Sequence, residues 1–189
     1  MSGRFLLTAL SAILVGGCMP YTALHAPASL PSVAPTRFVR LHIVDRRAWA
    51  TGGEERTSVG ARLNGYGDRF PLFDRDPEVV ARRVREVVTA ALARNGIGVS
   101  DSAAPLLIVE VRNFWVEGSL FFQANVGLHY ELQLARGKTF WEASVLESRT
   151  SMGGLSGSYF SDLLDNALAA AEQTSSTQMA APMFQHLVY

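Results

Sequence analysis

Apolar and polar residues alternate without a break from Phe122 to Leu134. Phe122, Ala124, Val126, Leu128, Tyr130, Leu132 and Leu134 share one face, while Gln123, Asn125, Gly127, His129, Glu131 and Gln133 share the other. That pattern predicts a strand with one buried and one wet face. Two further strands flank it. Pro105–Val116 is an aliphatic run ending at the turn Glu117-Gly118-Ser119, and Lys138–Ser151, entered through Arg136-Gly137, carries Phe140, Trp141, Val145 and Leu146. Consecutive strands joined by short turns read as an antiparallel meander. A fourth strand is predicted over Phe38–Asp45, with Val39, Leu41 and Ile43 toward the core.

The apolar period changes to the helical one after Asp76-Pro77. The Asp76 carboxylate can accept from free backbone N–H groups, and proline is already fixed in φ for a first helical turn. Val80, Val84, Val87, Val88, Ala91 and Leu92 then recur at three and four, Arg82, Arg83, Arg85 and Glu86 lie largely off that stripe, and Asn95-Gly96 supplies a left-handed cap. A second helix is predicted from Ser161-Asp162, with Phe160, Leu163, Leu164, Ala167, Leu168 and Ala171 as its stripe. Thr174–Thr177 forms helix poorly, and Pro182 kinks or stops it. Between the first strand and the first helix, Trp49–Arg75 carries five glycines. It is irregular apart from Ser58–Leu63, which with the following Asn64-Gly65 turn signals a short hairpin. These elements predict an α+β domain over residues 37–189: a two-layer sandwich of an antiparallel meander sheet with two helices packed on one face.

Residues 1–17 read as a signal peptide. Arg4 precedes the apolar run Phe5–Val15, which is too short to span a bilayer. The run ends in Val15-Gly16-Gly17-Cys18, which resembles the bacterial lipobox, with cleavage between Gly17 and Cys18 and acylation of Cys18. Residues 18–36 then hold Pro20, Pro27, Pro31 and Pro35 without periodicity, a tether reaching at most about 60 Å when extended. By resemblance to bacterial lipoproteins, Met19 rather than aspartate after the cysteine implies a lipid-anchored position on the periplasmic face of the outer membrane. The membrane partner is thus met through N-terminal acyl chains, without a spanning helix.

Composition narrows the function by exclusion. Over 189 residues there are 17 Lys+Arg against 17 Asp+Glu and one cysteine. Zero net charge offers no general attraction to nucleic acid, and one thiol makes neither a disulfide framework nor a multi-thiolate metal site. Neither a metal nor a cofactor is expected.

From Val79 to about Val188 the succession of elements resembles the YajG-type periplasmic lipoproteins. The resemblance is carried by a helix ending in Ala93-Arg94-Asn95-Gly96-Ile97-Gly98-Val99 and an aliphatic strand, then an alternating strand and a strand bearing Ser148-Arg149-Thr150. A glycine-rich bend and a long helix complete it. Trp49–Arg75 departs from the pattern. The resemblance implies an envelope lipoprotein and carries over no catalytic residues. Together with the anchor it leads to a non-enzymatic binding or assembly component with an envelope protein partner. An auxiliary lipoprotein of an ABC-type lipid-transport system is the alternative, and a hydrolase or metal-dependent enzyme the second.

The enzyme alternative rests on His129 and Glu131, two apart on the wet face of the central strand and therefore pointing the same way. No third metal ligand is apparent. His42 and Asp45 are three apart on a strand and point to opposite faces. Asp68, Asp74, Asp76 and Glu78 lack the ligand spacing of a calcium loop, and Gly154-Leu155-Ser156-Gly157 falls one residue short of a hydrolase elbow. The aromatics say more. Phe114, Trp115, Phe121, Phe122, Phe140 and Trp141 cannot all share the core face. Phe114, Trp115, Phe121, Phe140 and Trp141 are therefore candidates for an exposed partner-binding patch. Oligomeric state is left open by the sequence.

Overall fold

The computed structural model describes residues 34–47, 57–64, 66, 68–74, 76–134, 137–152 and 157–188. The expected signal peptide, Cys18 and most of the expected tether lie outside the described residues. Among the described residues seven strands form one sheet: β1 (Arg37–Asp45), β2 (Ser58–Leu63), β3 (Arg69–Phe73), β4 (Ile97–Val99), β5 (Leu106–Gly118), β6 (Phe121–Gln133) and β7 (Thr139–Met152). Three helices accompany them: α1 (Val79–Arg94), α2 (Gly157–Met179) and α3 (Pro182–Leu187).

The expected meander exists as β5, β6 and β7, antiparallel throughout. The sheet as a whole corrects the expectation, because it is mixed: β1 runs parallel to both β4 and β5, and β2 runs parallel to β5. The cause lies at one edge of β5. Its other edge is taken along Leu106–Gly118 by β6, so β1 and β2 must share what remains, end to end. β1 occupies Leu106–Val111 and β2 occupies Val116–Gly118. Residues 112–115 fall between them, and there Arg47 is inserted, 0% exposed. Its Nη1 donates to the carbonyls of Ser58 at 2.8 Å and Phe114 at 3.4 Å, while Nε and Nη2 clasp the Asp45 carboxylate at 3.0 and 2.8 Å. A guanidinium thus supplies donors where a strand is missing.

The hairpin signalled at Asn64-Gly65 is present. β2 pairs antiparallel with β3, and the Asn64 side chain holds the turn by accepting from the N–H groups of Tyr66 and Asp68 at 2.9 Å each. Gly60 allows β2 its close approach, since a Cβ there would collide with the Val116 carbonyl.

Both long helices cover one face of the sheet, as expected. The core comprises Val39 and Leu41 from β1, Leu107, Val109, Val111, Phe114 and Val116 from β5, the predicted face of β6, and the valine stripe of α1 with Leu164 and Leu168 of α2. A bulge between Val111 and Asn113 reverses the parity of β5, which is how Val111 and Phe114 both point inward. Burial of each such aliphatic side chain contributes about 1.5–3 kcal/mol.

Helix ends differ in detail from expectation. α1 begins at Val79, two residues beyond Pro77, and Asp76 Oδ1 instead accepts from the Glu78 N–H at 2.9 Å. Arg82 donates to the other oxygen at 2.8 Å, and this guanidinium first, then the Glu78 N–H, holds the Asp76 carboxyl below its ordinary range. Gly96 has φ 69°, the left-handed cap foreseen at that position. α2 begins at Gly157, before the predicted start, and runs through Thr174–Thr177, where tertiary bonds override the weak local preference: Thr174 donates to Glu147, Asn95 donates to Ser176, and Ser175 meets Tyr130. Pro182 stops it and opens α3. α1 and α2 run in the same direction, tied by Arg83–Asp165 and Arg94–Glu172, each at 2.6 Å.

Tyr130 anchors α2 to the sheet. Ser175 Oγ donates to the Ala171 carbonyl, so the fully buried Tyr130 hydroxyl must donate to Ser175 Oγ, at 2.6 Å. Burial pushes the Tyr130 phenol up, and the Ser175 bond pulls it back only in part. An unfolded tyrosine ionises near pH ~10, whereas the folded one keeps its proton. The stability contributed by this group is therefore full below about pH 10 and lost as pH rises above it. Tyr130→Phe is expected to cost about 1 kcal/mol at neutral pH and to flatten the alkaline loss. Urea unfolding at neutral and alkaline pH reads both, and an unchanged alkaline slope would contradict the assignment.

Candidate functional site

The helix-free face of the sheet carries the polar chemistry foreseen for β6. Across the β6–β7 ladder His129 stands opposite Ser144 and Glu131 opposite Glu142. His129 Nδ1 lies 2.9 Å from Ser144 Oγ, and its Nε2 lies 3.6 Å from Glu131 Oε1. The other Glu131 oxygen accepts from Gln133 Nε2 at 3.3 Å and from the Thr139 hydroxyl at 3.4 Å. A serine, a histidine and a carboxylate therefore stand in a row.

Acyl transfer needs more than that row, namely donors aimed at the oxyanion. Backbone N–H groups of β6 and β7 lie in the plane of the sheet, perpendicular to the side chains, and do not point over Ser144. Farther along, Gln123 Nε2 donates to Ser148 Oγ at 2.8 Å and to Asn125 Oδ1 at 3.2 Å, and the Ser148 hydroxyl donates to Asn125. Glu110 is flanked by Arg112 at 3.2 Å and Arg46 at 3.7 Å. These side chains satisfy one another laterally, and what results is an open polar face. No group of three His, Cys, Asp or Glu able to hold a metal ion occurs among the described residues.

The five candidate aromatics divide. Phe114 and Trp141 are buried, which removes them from any exposed patch. The β5 bulge turns Phe114 inward, and Trp141 packs edge-on against Phe184 of α3 with centroids 4.6 Å apart. Trp115 is half-buried on the helix-free face, its Nε1 donating to Glu117 at 3.2 Å. Phe121 is 62% exposed, and Phe140 is exposed beneath Lys138, whose ammonium lies 5.3 Å from the ring centroid.

Two buried arginines were not foreseen. Arg83 reaches Glu86 at 2.8 Å as well as Asp165, so it joins the two helices. Its position three residues after Val80 and four before Val87, at the edge of the apolar stripe, was the signal for it. Arg47 had none. The loop acids are used locally: Asp68 accepts from Asn64 at 2.7 Å and Asp74 from the Asp76 N–H at 2.9 Å. His42 and His186 are exposed. An open depression of about 410 Å³ lies beside Thr36, Phe38, Pro105 and Val188, where the chain enters the domain.

No family model matches the chain, and no curated protein does. The YajG-type likeness therefore remains one of element pattern. Among solved structures, the chain is similar to protein XCC0632 from Xanthomonas campestris, of family DUF330. That match has a TM-score of 0.60 and 13% identity, and covers 86% of this chain and 95% of the other. It is also similar to a minor lipoprotein from Acinetobacter baumannii, with TM-score 0.46, 9% identity and coverage of 78% and 92%. The second similarity is too low to argue from, and the first, at its identity, establishes a shared fold: this chain has the mixed α+β fold of the DUF330 protein.

Proposed function

We propose that this chain is a lipoprotein, anchored through acylated Cys18 to the periplasmic face of the outer membrane. Its domain then serves as a non-enzymatic binding or assembly component of the envelope. The observation that carries the reading is the Val15-Gly16-Gly17-Cys18 sequence at the end of a short apolar run, followed by a proline-rich tether. The open, laterally satisfied polar face supports a role in contact rather than turnover. The YajG-type pattern and the lipoprotein name of the Acinetobacter neighbour accord with it without carrying it.

The anchor is tested by labelling growing cells with radioactive palmitate. The wild-type chain is expected to take up label and to partition with the outer membrane, whereas Cys18→Ala takes up none and keeps its apolar leader. Equal labelling of the two would sink the proposal.

A further inference from the structure

We draw no further inference here: the strongest candidate, the exposed apolar patch of Tyr66, Leu120, Phe121 and Met152 at the end of the sheet where the β2–β3 hairpin lies beside the β5–β6 turn, carries none because nothing in the structure shows what covers it.

Discussion

Arg47→Ala is expected to destabilise the domain by about 3 kcal/mol, the lower end of the range for breaking a buried ion pair from one side. Three acceptors lose the guanidinium at once: the carbonyls of Ser58 and Phe114 and the carboxylate of Asp45, which keeps the residue 47 backbone N–H at 3.2 Å. An unsatisfied buried carbonyl costs about 1–3 kcal/mol. The Asp45 side chain is 25% exposed, so water recovers part of its loss, and this sets the lower end rather than the upper. For a domain of this size the melting temperature should fall by roughly 6–12 °C. Arg47→Lys is expected to recover less than half, because one ammonium cannot clasp a carboxylate bidentately and also reach two carbonyls. A melting temperature unchanged by Arg47→Ala would mean that water fills the gap between β1 and β2 equally well.

The neighbours Phe140 and Trp141 should respond unequally. Trp141→Ala is expected to cost about 3–5 kcal/mol, because the indole is buried between Tyr130, at 6.4 Å between centroids, and Phe184, at 4.6 Å. Its loss opens a cavity under α3 and removes that helix's principal aromatic contact. Phe140→Ala, at a ring 37% exposed beneath Lys138, should cost only about 1 kcal/mol. Urea unfolding of the two variants separates them, and comparable losses would mean that the two faces of β7 have been assigned wrongly.

Local pattern carried the face assignments well. Alternation in β6 placed every buried residue from Phe122 to Leu132 correctly, apart from Gly127, and the helical stripes of α1 and α2 reappear in the core. Turn chemistry located the Asn95-Gly96 cap, the β2–β3 hairpin and the stop at Pro182. What escaped the sequence was non-local. Parallel pairing of β1 with β5 leaves no turn signature, since the partners are joined by a hairpin, a helix and a short strand instead of a loop. The division of one β5 edge between two strands is likewise a tertiary event, and Arg47 is buried because of it. Phe114 was misplaced for a different reason. The extra residue at Arg112 reverses the parity of β5, and its one mark in the sequence is the polar pair Arg112-Asn113, which puts Asn113 on the face of Val109 and Val111. At the polar face, parity alone brought His129 and Glu131 together, whereas Ser144 joins them only through the β6–β7 register.

The parallel placement of β1 also orders events in time. β1 meets β4 from Ile97 and β5 from Leu106, so its first ladder partners emerge long after it during synthesis. Until then Val39 and Leu41, both destined for the core, have no sheet to join. The meander β5–β6–β7 faces no such delay, since its loops are short. The last strands of the chain can therefore be the first to assemble, with the N-terminal strand closing the sheet afterwards against an edge already built.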